Sequence, residues 1–87
     1  MNINEYRLIR IVNAPNSGYI RGICSLNKNM ILTSDFSKNI KQWKLEGDNL
    51  NLISEKKNAH NKDINILLNL PNGHIASGSD DYKVKIW

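Results

Sequence analysis

At 87 residues, 40% hydrophobic and 23% charged, the chain suits one small globular unit and is too apolar to be a disordered tail. Its net charge of +4 comes from 12 basic against 8 acidic side chains, but the lysines from Lys28 to Lys85 are separated by acids and form no basic stripe interleaved with aromatics, so nucleic acid is not the expected partner. No apolar stretch approaches the ~20 residues of a membrane-spanning helix, the opening MNINEYRLIR lacks the apolar run of a secretory leader, and the lone Cys24 excludes an internal disulfide.

In chain order, Tyr6 to Val12 reads as a first strand. Ile20, Gly22, Cys24 and Leu26 then alternate with other residues at period two, and Asn27-Lys28-Asn29 marks a turn. Ile31 to Ser34 and Ile40 to Leu45 follow as strands; Glu46-Gly47-Asp48-Asn49 turns the chain into Leu50 to Lys56. Ile64, Ile66, Leu68 and Leu70 alternate with Asn65, Leu67 and Asn69, which predicts one wholly apolar face. Pro71-Asn72-Gly73 supplies a tight turn, proline fixing one backbone angle and Asn-Gly tolerating positive φ. Ile75 to Ser79, a reversal over Asp80 to Lys83, and Val84 to Trp87 complete the order. No segment has helical period, and Cys24 is expected in the core as a small apolar residue.

Sliding the chain against itself by 44 positions superposes Leu8 on Leu52, Ile9 on Ile53, Ile20 on Ile64, Leu26 on Leu70, Ile31 on Ile75, Lys41 on Lys85 and Trp43 on Trp87. Ile23 with Leu67, Thr33 with Ser77 and Ile40 with Val84 fill the intervals. The second copy carries Ala59-His60 before its first strand and ends on Ile75-Ala76-Ser77-Gly78-Ser79-Asp80-Asp81-Tyr82-Lys83-Val84-Lys85-Ile86-Trp87. This pattern resembles the WD40-repeat family. The resemblance implies an all-β fold of antiparallel four-stranded blades, part of a β-propeller. On that reading, residues 1–13 hold the last strand of a preceding blade, 14–57 a degenerate first repeat, and 58–87 a second repeat without its last strand.

In that family a His before the first strand, a Ser or Thr in the second, an Asp in the following turn and a Trp in the third form a structural hydrogen-bonded set; these fall on His60, Ser77, Asp81 and Trp87. A buried indole N–H needs an acceptor, a hydroxyl accepts it and donates onward, and an imidazole joins hydroxyl to carboxylate. The first copy departs from the pattern: its equivalents are Asn16, Thr33, Ser37 and Trp43, with Asp35 able to stand in for part of the set. Tyr82 occupies a turn position where the family favours Gly or Asn, which predicts strain or an altered turn.

Ser, His and Asp together also suggest a hydrolase, but no G-x-S-x-G elbow is present and Ser77 is expected in mid-strand beside Trp87, beyond a substrate's reach. His60 and His74 lack paired ligand spacing, so His74 is expected as a turn residue. No catalytic residue, metal or cofactor is therefore expected. The resemblance implies instead a rigid scaffold that binds proteins or peptides through its loops, with Tyr19, Arg21, Phe36, Lys62 and Tyr82 as candidate contacts. Further blades of the same protein or self-association are the other expected partners; a basic surface for nucleic acid or anionic lipid is the alternative. The expected setting is intracellular, in the cytoplasm or nucleus, and the chain is expected to be a piece of a longer propeller.

Overall fold

A computed structural model describes residues 2–15 and 18–87. They are all-β, with seven strands in two antiparallel sheets. The first sheet runs in chain order through β1 (Gly22–Asn27), β2 (Met30–Ser34), β3 (Ile40–Glu46) and β4 (Asn49–Lys56). The second contains β5 (Ile64–Asn69), β6 (Ile75–Ser79) and β7 (Val84–Ile86), also in chain order. The helical elements of the described residues are two 3-10 turns, Ile3–Glu5 and Pro71–Gly73, and no helix is long and apolar enough to cross a membrane.

Local chemistry explains the reversals. Gly47, with φ of 58°, takes the first place of the two-residue loop between Glu46 and Asn49, where a hairpin turn demands positive φ. Asn72 and Gly73 carry φ of 65° and 79° after Pro71, as the Pro-Asn-Gly signal predicts. The same pairing register recurs in the two sheets at the 44-residue spacing. Ile23 faces Thr33 and Thr33 faces Lys41 in the first; Leu67 faces Ser77 and Ser77 faces Lys85 in the second.

The sheets pack through the face that carries Gly22 and Cys24. Cys24 and Ile40 of the first sheet and Ile64, Leu67 and Ile75 of the second form one core with Ala59, and Leu32 packs against it. Gly22 permits the approach: a β-carbon there would lie 2.5 Å from Ser34 Oγ and 2.9 Å from the Leu67 nitrogen. Polar bonds cross the same junction. Ser34 Oγ donates to the Ile64 carbonyl at 3.2 Å, and the Asn69 amide both accepts from the Ser25 N–H at 3.2 Å and donates to the Ser25 carbonyl.

Three expectations require correction. Ile64, Ile66, Leu68 and Leu70 do not share a face, because a β-bulge between Ile64 and Ile66 resets the alternation. Ile64 and Leu67 consequently point into the core, while Ile66 and Leu68 are exposed on the other face. In β1 only Gly22 and Cys24 of the predicted set are buried; Ile20 and Leu26 are exposed. Tyr6 to Val12 forms no strand: the segment follows the 3-10 turn without joining a sheet, and a strand is stable only when its backbone groups pair with a neighbour. Arg10 instead donates to the Gly47 carbonyl and lies 3.8 Å from Asp48 at the β3–β4 turn.

Candidate functional site

Four side chains from four segments in and around the second sheet meet in a continuous relay. Trp87 follows β7, and its indole N–H donates to Ser77 Oγ in β6 at 2.9 Å. His60, in the loop before β5, lies 2.7 Å from Ser77 Oγ through Nε2 and 2.9 Å from Asp81 Oδ2 through Nδ1. An ionised carboxylate only accepts, so Nδ1 carries the proton and Nε2 accepts from the Ser77 hydroxyl. The hydroxyl thereby uses its proton on His60 and a lone pair on Trp87, and no buried polar side-chain atom among the described residues is left without a partner.

Asp81 anchors the relay to the backbone. Its Oδ2 also accepts the Asn61 N–H at 3.1 Å, and Oδ1 accepts the Lys83 N–H at 2.9 Å. Burial alone would raise the carboxyl pKa, but the hydrogen bonds from Asn61, His60 and Lys83 outweigh it, lowering the pKa from 3.8 to about 2. Lys85 adds a bond from Nζ to the Ala59 carbonyl at 2.7 Å. The loop before β5 is thus bound to β6, to the β6–β7 turn and to β7.

Among the described residues, the first sheet shows one link of this relay. Trp43 Nε1–H donates to Thr33 Oγ1 at 2.7 Å, but Ser37 is exposed and offers its backbone N–H to Asp35 Oδ1 at 2.7 Å. A serine side chain is too short and uncharged to replace the Asp81 clamp; Asp35 organises the turn in its place and pairs with Lys41 Nζ at 3.3 Å. Asn16, expected opposite His60, lies outside the described residues.

The turns gather at one end of the molecule. The Asn58 N–H donates to Asn39 Oδ1 at 2.9 Å and the Ala59 N–H to the Lys38 carbonyl at 3.0 Å, tying the β2–β3 turn to the loop before β5. That loop meets the β6–β7 turn through the Asp80 N–H, which donates to the Asp63 carbonyl at 3.1 Å. Of the candidate contacts, Tyr19, Arg21 and Phe36 form one cluster here. The Tyr19 and Phe36 rings meet edge to face at 5.6 Å, and the Arg21 guanidinium lies 4.6 Å from the Phe36 ring centre. Lys62 and Tyr82 belong to the neighbouring loop and turn; Tyr82 is 98% exposed and holds φ of 68°, matched by 69° at Lys38 in the first sheet. His74 is exposed after the Pro71–Gly73 turn, with Nδ1 3.1 Å from the Trp87 carbonyl.

Sequence reasoning missed the Lys85 bond to Ala59 and the Asn69 clamp on Ser25. The clue to the second was its spacing, since Asn69 stands 44 positions beyond Ser25, the offset at which the chain superposes on itself. Compared with protein-family models, with curated proteins and with solved structures, the chain matches none.

Proposed function

We propose that the chain belongs to a non-catalytic WD40-type scaffold whose loop end docks peptides or protein domains. The observation that carries this reading is the exposed Tyr19–Phe36–Arg21 cluster at an end where turns and loop are hydrogen-bonded to one another. Aromatics and arginine concentrate binding energy in interfaces, and a surface fixed before binding loses little conformational freedom when it docks. The recurring register and the buried relay support the family reading. The Ser-His-Asp set supports a structural role over catalysis: Ser77 is 0% and His60 1% exposed, and the Ser77 oxygen already accepts the Trp87 indole N–H.

Panning a random peptide display library on the immobilised 87-residue chain tests the proposal. The expected result is an enriched peptide class whose binding survives added salt and falls at least about tenfold in Arg21→Ala or Phe36→Ala, with the thermal midpoint unchanged. No enrichment, or enrichment indifferent to both substitutions, overturns it. Binding to DNA or anionic vesicles that collapses as salt rises would favour the basic-surface alternative.

A further inference from the structure

The Arg21 guanidinium lies over the Phe36 ring, 4.6 Å from its centre, and among the described residues it makes no hydrogen bond or ion pair. The positions 44 further on are filled differently. Asn65 donates through its side-chain amide to the Asp80 carboxylate, so donor and acceptor satisfy one another within the chain. Phe36 offers Arg21 a ring face and no acceptor, which holds the guanidinium in place and leaves its N–H groups unspent. Exposure here is a property of the loop end: the first sheet covers Ile64 and Leu67, yet Asn65 between them and its partner Asp80 remain exposed.

The surroundings of Arg21 define what it can take. A cation needs the ring face that the guanidinium already holds, so the complementary group is an anion. A carboxylate matches the planar edge of the guanidinium and accepts two parallel N–H bonds from it. Asp35, the acid of the β2–β3 turn, does not fill this place, because it is 2% exposed and paired with Lys41 at 3.3 Å. Lys38 and Lys57 are exposed at the same end, make no ion pair among the described residues and add positive potential. Tyr19, 77% exposed, packs edge to face on the ring that carries Arg21 and presents apolar surface beside it. Asp63 and Asp80 on the neighbouring loop and turn interrupt the positive surface, which disfavours a polyanion and suits one acid in one place.

We propose that the Tyr19–Phe36–Arg21 cluster selects peptides carrying an aspartate or glutamate side chain beside a large apolar residue. Arg21 takes the carboxylate and Tyr19 supports the apolar group. The inference rests on the peptide-docking reading above and adds the class of peptide to it. One ion pair beside apolar surface weakens only severalfold as salt rises, in keeping with binding that survives added salt.

Sequencing the peptides enriched on the immobilised chain is the first test. An excess of Asp or Glu at one position, next to a large apolar residue, is expected. One such peptide is then made with glutamate and with glutamine at that position. Glutamine should weaken binding at least about fivefold to the original chain and less than about twofold to Arg21→Ala. Arg21→Glu should reverse the preference, so that lysine in that place binds better than glutamate. Tyr19→Ala should weaken all these peptides while keeping the glutamate-to-glutamine ratio, and all three variants should keep the thermal midpoint because the side chains are exposed. Enriched peptides without an acidic excess, or an equal glutamine effect in the original and Arg21→Ala chains, overturn the inference and leave peptide docking standing. A phosphoserine that binds at least about tenfold tighter than glutamate in the same place overturns the choice of a carboxylate. Failure to enrich any peptide overturns both readings together.

Discussion

Trp43 and Trp87 stand 44 positions apart and each donates its indole proton to a strand hydroxyl, yet their surroundings differ. In the first sheet a fourth strand leaves Trp43 only 2% exposed, and one bond to Thr33 suffices. In the second, Trp87 is 39% exposed, and the hydroxyl it donates to belongs to a relay extending through His60 to Asp81. The same turn is also stabilised differently: Asp35 pairs with Lys41 in one sheet, while Asp81 collects two backbone amides and an imidazole in the other. The two tryptophans thus differ in how far they are covered and in what the hydroxyl they donate to is bonded to in turn.

Substitutions can break this contrast. Trp43→Ala should cost about 3–5 kcal/mol, with Trp87→Ala costing about 2 kcal/mol because much of its surface is already in water. Equal losses in urea titrations would refute the difference in packing. Gly22→Ala should cost about 1–3 kcal/mol by forcing the sheets apart, and the fall in thermal midpoint should exceed that of Gly47→Ala, where a β-carbon meets nothing within 4 Å and only the positive φ resists.

His60→Ala should cost about 1–3 kcal/mol by leaving Ser77 and Asp81 without their shared partner, against less than about 0.5 kcal/mol for Ser37→Ala. Comparable midpoints for the two variants would show that the relay does not distinguish the sheets. Tyr82→Gly should stabilise by about 1 kcal/mol, relieving a positive φ held by a side chain that is nearly all in water. The smallest difference is confined to acid. The folded pKa of Asp81 lies below its ordinary value, so its contribution is full above about pH 4 and is lost as the pH falls toward about 2. Asp81→Asn should flatten this part of the stability curve; a variant with the original acid profile would refute the assignment.

Much of the strand order was legible because it rests on local chemistry. Pro71-Asn72-Gly73 and Gly47 place their turns through backbone preferences that neighbours do not alter, and Ile75–Ser79 occupies the limits its residues predict. His60, Ser77, Asp81 and Trp87 were readable only through the family resemblance that implied them as a hydrogen-bonded set, and the structure brings the four together. Face assignment in β5 was not, because the bulge after Ile64 exchanges inside for outside without changing composition. The need for Gly22 was hidden too, since it arises from the approach of Leu67 more than forty positions away. Tyr6 to Val12 looks like a strand in sequence, but strand formation depends on an edge that sequence alone does not locate.

Cys24 lies in the core formed where the two sheets meet, and burial pushes its thiol pKa up. Alkylating reagents attack the thiolate, so this sulfur stays silent while the sheets are closed. Its labelling rate therefore acts as a clock for their separation, distinguishing a parting of the two sheets from fraying at either free edge.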